Sequence, residues 1–261
     1  MFQGYKELRL LNWQRFPQPP RGIRAVLLTH AHLDHSGWLP RLLREGFQGE
    51  VLCTPATRDL AKVLLEDAAR IQESDARQAN KGGWTRHAPA KPLFTLAEAK
   101  GVLRLFKAVQ PQRWRQVDDL EVRFTPNGHI LGSAMVEVRG DETTLFSGDL
   151  GRPNDPVMPA PLDPPPCDRL VLESTYGDRL HGVEHPVRAL QDALGRVKRN
   201  RGVLVIPSFA VGRSQALLHH LHEAMSARDD LRMPIYLDSP MSEQAVQIMT
   251  NYTAVYAGLA A

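Results

Sequence analysis

The sequence predicts a mixed α/β (α+β) fold in two parts, residues 1–182 and 183–261. Three observations carry this expectation. Short apolar runs at 23–29 and 50–54 each lead into helix-patterned segments. Residues 115–149 break into short, partly alternating runs separated by turn residues, the pattern of strands and hairpins. From about residue 183 helix and strand patterns alternate, as in a parallel α/β sheet.

Each element follows from its local pattern. "IRAVLLT" reads as a buried strand, and "SGWLPRLLREGF" as a short helix ending near Gly46. "EVLCT" is a second strand. A long helix begins after it: Thr54 can cap, Pro55 suits the first helical position, and Leu60, Val63, Leu64, Ala68 and Ile71 recur at helical spacing. "KGGWTRHAPAKP" is a loop and "TLAEAKGVLRLFKAV" a further helix. "DLEVRFTP", "AMVEVRG" and "TTLFSGD" are strands, with Gly140-Asp141 at one turn. The proline-dense "GRPNDPVMPAPLDPPPC" is an extended loop, and "RLVLEST" returns to strand. "HPVRALQDALGRVKRN", "GVLVIPSFA", "RSQALLHHLHEAMSAR", "MPIYLD" and "SPMSEQAVQIMTNY" then read as helix, strand, helix, strand, helix.

Composition narrows the class. A 43% hydrophobic content supports a core, and 23% charged residues of both signs argue against wholesale disorder. The net charge of +3 is compatible with a polyanionic partner without demanding one. Cys53 and Cys167 form no Cys-x-x-Cys, which argues against a cysteine zinc site or a disulfide framework. Cys53 reads as a small core residue. A reducing cytoplasm is the simplest setting. No run approaches the ~18 consecutive apolar residues of a membrane span, and "MFQGYKELRLLNW" lacks a signal-peptide pattern.

The chemistry concentrates in "LLTHAHLDHSG", residues 27–37, with three histidines and one aspartate in six positions. Alternate residues of an extended segment face one side, so His30 and His32 can address one cation. Asp34 and His35 follow where the chain turns and can address a second. Imidazole and carboxylate donors suit borderline cations such as zinc. "TPNGHILGS" places His129 after a strand among glycines, and "LFSGDLGR" places Asp149 at a strand end, where its two oxygens can bridge two cations.

"THAHLDHSG", "GHILGSAMVEV" and "FSGDLGR" resemble the metal-binding motifs of the metallo-β-lactamase fold. "LVLESTYGDRLH" and "VLVIPSFAVGRSQ" are similar to motifs of its β-CASP branch, which includes bacterial ribonucleases and the nuclease of messenger-RNA 3′-end cleavage. The resemblance covers nearly the whole chain. It implies an αββα sandwich, here incomplete, followed from residue 183 by part of an inserted β-CASP α/β domain. It implies His30, His32 and His129 on a first zinc, Asp34 and His35 on a second, and Asp149 as the bridge, two Zn2+ per complete site. Asp34 and Glu173 are the residues expected to carry catalysis, Glu173 through support of a catalytic histidine. The implied reaction is hydrolysis of RNA phosphodiesters by metal-activated water, with endonuclease and exonuclease modes both open. Single-stranded RNA is the implied partner and a membrane is not; self-association into a homo-oligomer stays open.

Ser208 and Arg213, between a strand end and a helix start, and Ser239 in "LDSPM" are candidate contacts for the RNA backbone, with capping as the alternative reading. His219, His220 and His222 in "HHLHE" read as helix-surface or partly buried histidines, for want of an acidic partner at ligand spacing. His87, His181 and His185 read as loop residues, and "KRNRG" as a solvated helix end, with a nucleic-acid contact as the lesser reading.

In the family an acidic motif precedes a segment like "MFQG", and a return to the first domain supplies a histidine for the second metal and a general-acid histidine. By that resemblance the 261 residues are expected to be an internal fragment or a gene product truncated at both ends, inactive or weakly active alone. Two other readings stand beside the ribonuclease: a small-molecule hydrolase acting on a thioester or lactam, and a non-catalytic RNA-processing scaffold. The first explains "HAHLDH" but not "ESTYG"; the second leaves unexplained why each ligand position within the chain is filled.

Overall fold

A computed structural model describes residues 1–85, 88–180, 182 and 185–257, with side chains described as far as Tyr252. The expectations for His87 and His181 fall outside them. Two compact units form: Met1–Asn127 with Gly132–Asp149 and Leu162–Val171, and Gly128–Leu131 with Leu150–Pro161 and Leu172–Ala261.

The first unit holds two sheets. Strands β1 (Ala25–Leu27), β2 (Glu50–Cys53) and β3 (Phe106–Ala108) are parallel, in that order. Strands β4 (Arg115–Val117), β5 (Leu120–Pro126), β6 (Ala134–Arg139), β7 (Thr143–Phe146) and β8 (Arg169–Val171) form the second sheet, antiparallel except for the parallel β7–β8 pair. Neighbouring residues of a strand face opposite ways. Val51, Leu52 and Cys53 are all fully buried, so the first sheet is covered on both faces. On one face Leu52 and Leu27 pack against Val122, Phe124, Ala134 and Val136 of the second sheet. Each buried side chain of this size contributes about 1.5–3 kcal/mol.

Eight α-helices of the described residues are distributed over the two units, five of them in the first. Helices α1 (Lys6–Leu11), α2 (Leu33–Ser36) and α3 (Leu39–Arg44) precede the long α4 (Pro55–Gly82), and α5 (Leu96–Leu103) packs on α3 and α4. The Thr54 hydroxyl accepts from Thr57 N–H at 3.2 Å, Pro55 opens α4, and Gly83 closes it at φ +67°. Leu60, Leu64 and Ala68 are buried as the spacing predicts, but Ile71 is 53% exposed. A helix of 28 residues runs about 42 Å at 1.5 Å per residue, so its last turns outrun the short strands it covers. Thr95 and Glu98 form a reciprocal capping box at the start of α5, at 3.2 and 2.7 Å.

The helix expected through Val109 ends at Leu103, and Phe106–Ala108 join β2 instead. Pairing with an existing strand outweighs a local helical pattern there. The strand expected over 169–175 is confined to β8.

The second unit contains α6 (Pro186–Arg199), α7 (Arg213–Ser226) and α8 (Pro240–Ala257). Leu194, Leu221, Ala224 and Leu231 form a core there, with Leu204 and Met233 against it. The strands expected over "GVLVIPSFA" and "MPIYLD" make no ladder among the described residues. Val203 and Tyr236 are each 86% exposed. A strand pattern specifies half of a pair, and neither segment has a hydrogen-bonded strand neighbour here. No helix of the described residues is long and apolar enough to cross a membrane.

Candidate metal centre

The centre grows from the end of β1. Leu28 N–H donates to Leu52 O at 2.9 Å, keeping the chain extended beyond the strand, and Ala134 N–H donates to Thr29 O at 2.9 Å. The second contact ties the end of the first sheet to the start of β6. His30 emerges at this junction fully buried, its Nδ1 3.2 Å from the Thr29 hydroxyl. His32 is the residue before α2. The Ser36 hydroxyl donates to Ala31 O at 2.9 Å and His32 O at 3.0 Å, closing the turn that carries Asp34 and His35.

Asp149 follows β7 across Gly148, which has φ +55°. A side chain there would stand 3.0 Å from the Thr29 Cβ and 3.3 Å from the Asn127 amide nitrogen. Asn127, itself fully buried, donates to Ser147 O at 2.9 Å and Asp149 O at 2.8 Å. The amide thus grips the backbone on both sides of the glycine. Sequence reasoning missed Asn127; its signal was a lone amide between a strand and the "GH" dipeptide.

The donor atoms of His30, His32 and Asp149 lie within 4.8 Å of one another, as do those of Asp34, His35 and Asp149. His30 Nε2 is 3.1 Å from His32 Nδ1 and 3.7 Å from Asp149 Oδ2. His35 Nε2 is 3.3 Å from Asp149 Oδ1 and 3.5 Å from Asp34 Oδ2. Ligands about 2.0–2.2 Å from a tetrahedral cation sit roughly 3.3–3.6 Å apart. The donors therefore fit a divalent cation in kind and in spacing, and Asp149 turns one oxygen to each group. Burial pulls the His35 pKa down, but the hydrogen bond to Asp149 and the charges of Asp34 and Asp149 outweigh it, leaving the group raised. The same surplus of negative charge attracts a metal cation.

His129 is the second residue of Gly128–Leu131, a segment of the second unit whose flanking residues belong to the first. Those flanks are fixed within the first unit: Asn127 N–H donates to Ser133 O at 3.2 Å, and Gly132 O accepts from the hydroxyls of Thr54 at 2.6 Å and Thr57 at 2.8 Å.

Glu173 accepts from Leu150 N–H at 3.2 Å and Thr175 N–H at 2.9 Å, which fixes the backbone one residue beyond Asp149. Ser208 is exposed, its hydroxyl 3.4 Å from the adjacent Phe209 carbonyl. Arg213 opens α7, exposed, with its guanidinium 5.8 Å from the centre of the Phe209 ring. Ser239 caps α8, accepting from Ser242 N–H at 3.2 Å. The expectation that "HHLHE" lacks an acidic partner is corrected: Glu223 lies 3.6 Å from His219 and 3.0 Å from His220. The i+3 and i+4 spacing of Glu223 was open to reading in the sequence.

The Metallo-beta-lactamase superfamily model matches residues 12–181, and the chain belongs to that superfamily. Curated relatives narrow the position within it. The chain is 37% identical to Ribonuclease TTHA0252 of Thermus thermophilus over 95% of its own length and 53% of the relative. It is 30% identical to Transcription termination factor FttA of a Lokiarchaeum over 85% of the chain and 34% of the relative. It is 31% identical to Cleavage and polyadenylation specificity factor subunit 3-II of Arabidopsis thaliana over 85% of the chain and 35% of the relative. These relatives bear out the resemblance to the β-CASP branch. The chain spans about half or less of the length of each.

Proposed function

We propose that this chain carries the metal centre of a β-CASP hydrolase that cleaves RNA phosphodiester bonds. The observation that carries the reading is Asp149, whose two oxygens face two separate donor groups, 3.7 Å from His30 and 3.3 Å from His35. The names of the relatives support RNA as substrate. The ligands proposed for a first ion include His30, His32 and Asp149, and for a second Asp34, His35 and Asp149; His129 is proposed for the first ion on the resemblance of "GHILGSAMVEV" to the family motif. Zinc is the proposed metal, because imidazole and carboxylate donors at tetrahedral spacing suit it. When bound, such ions supply positive charge that lowers the proton affinity of water and offsets charge on the phosphoryl oxygens.

The protein's part is positional. His30, held by burial and by Thr29, keeps a fixed ring orientation. Asn127 sets the backbone of Asp149. Glu173 holds Leu150, so it acts on the reaction by fixing the chain behind the bridging carboxylate. Ser208, Arg213 and Ser239 are proposed to meet the backbone of single-stranded RNA, Ser239 from the start of α8, which it also caps. A cytoplasmic setting belongs to the same proposal.

Two measurements test it. Elemental analysis after zinc loading is expected to show bound metal that Asp149→Asn sharply reduces. Equal uptake by a His30→Ala/His32→Ala variant would overturn the centre. The protein containing this chain is expected to cleave a labelled single-stranded RNA and to leave a thioester intact; the reverse would favour a small-molecule hydrolase.

A further inference from the structure

The second unit carries a cationic surface that the metal centre does not use. It forms at the C-terminal end of α6. Arg196 and Arg199 stand one turn apart on that helix, and with Gln191, Asp192, Gly195 and Arg228 they line a cleft of about 250 Å3. Gly195 forms part of its wall, and the Arg199 guanidinium reaches back to within 3.5 Å of where a Gly195 Cβ would be. Arg201 follows two residues past the helix end, exposed and at φ +49°, a conformation that usually falls to glycine or asparagine. The chain therefore places a long cation where its backbone favours a small residue, with Gly202 immediately after it.

The charges are unevenly matched. Arg228 is paired with Asp230 at 2.7 Å, and Arg232 with Asp229 at 3.0 Å. Lys198 is tied to the Asp230 carbonyl. Arg196, Arg199 and Arg201 have no carboxylate partner among the described residues, and Asp192 is the one acidic residue lining the cleft. Basic residues in a last helical turn do stabilise the helix dipole. That accounts for Arg196 and Arg199 individually. It does not account for Arg201, which lies past the helix, or for Arg228, which comes from a separate segment.

We propose that this surface, Arg196, Arg199, Arg201 and Arg228, binds the phosphate backbone of single-stranded RNA at a distance in sequence from the metal-centre motifs. The inference rests on the RNA reading above. Guanidinium groups match phosphate oxygens in geometry as well as charge. A contact of this kind adds affinity without sequence preference and scales with salt.

The test is equilibrium binding of a fluorescein-labelled, 15-nucleotide single-stranded RNA to the whole chain in EDTA, read by anisotropy across a salt series. Arg196→Gln/Arg199→Gln/Arg201→Gln is expected to weaken binding roughly tenfold near 0.1 M salt and to flatten the salt slope by about two, from ~0.7 per lost phosphate contact. Asp192→Asn, which removes the cleft's own carboxylate, is expected to bind more tightly than the parent; this gain cannot arise from misfolding. Unchanged affinity and slope in the triple variant, or no gain in Asp192→Asn, overturn the proposal. Failure of the underlying reading is separable: patch-dependent RNA binding by a zinc-loaded protein that hydrolyses a thioester and never RNA would refute the nuclease but not the surface.

Discussion

Replacing Asn127 with alanine removes the clamp around Gly148. The amide donates two hydrogen bonds of 2.9 and 2.8 Å to the carbonyls of Ser147 and Asp149, from a fully buried position. Each such bond contributes about 1 kcal/mol net, and a carbonyl left dry costs about 1–3 kcal/mol. The vacated volume is small and polar-lined, so a water can offset part of this. The expected loss is therefore about 2–4 kcal/mol. Urea denaturation of the metal-free chain measures it directly. Zinc affinity measures the second consequence, because the Asp149 carboxylate would no longer be held in register with His30 and His35. Asn127→Asp tests the cause: it keeps the size but sets a carboxylate against two carbonyl oxygens, and should lose more stability than alanine. If alanine costs under about 0.5 kcal/mol, within the range of an ordinary surface change, and zinc affinity stays at the parent value, the amide is not what positions Asp149.

Other outcomes follow from groups already described. Arg123 pairs with the buried Glu137 at 2.5 and 2.7 Å, so Arg123→Ala should cost about 3–5 kcal/mol by stranding a buried carboxylate, whereas a paired Arg123→Met/Glu137→Leu change should cost much less; denaturation midpoints compare them. In the metal-free chain His35 is raised above its ordinary value, so its charged form stabilises the fold below the unfolded pKa near 6.5, and that contribution fades as pH rises through the folded value. NMR titration of the imidazole should show the raised midpoint, and Asp149→Asn should lower it. Burial pushes the Cys53 thiol up to about 12, so in the folded chain at pH 8 a thiol reagent should modify the half-buried Cys167 well ahead of Cys53, and both at similar rates in urea.

Local signals were legible and non-local ones were not. Thr54 and Pro55 announce a helix start through bonds that span three residues, and the structure forms that cap. "THAHLDH" places its donors by the alternation of one extended segment and one turn, which the sequence contains in full. β3 was read as helix because residues 104–109 carry no sign of the strand they will meet. Conversely, the apolar, β-branched run at 203–206 has no strand neighbour among the described residues, and Val203, Val205 and Ile206 stay exposed while Leu204 packs on the core. Asn127 was passed over because its importance lies in what it touches twenty residues later. The pairing of Glu223 with His219 and His220, by contrast, is a local signal, legible in the i+3 and i+4 spacing of one helix.

The segment Gly128–Leu131 is anchored at both ends, and Ile130 and Leu131 within it are buried. Asn127 and Ser133 close it on one side, while Thr54 and Thr57 hold Gly132 from the first turn of α4. Such an arrangement behaves like a socket. Between the anchors the backbone of Gly128 sits at φ +71° and Ile130 and Leu131 are buried, so of these four positions 129 is the one whose side chain is left to carry chemistry. A histidine carried there takes its backbone position from anchors far away in the sequence, so a change at Thr54, Thr57 or Asn127 would move position 129 as surely as a change at the histidine itself.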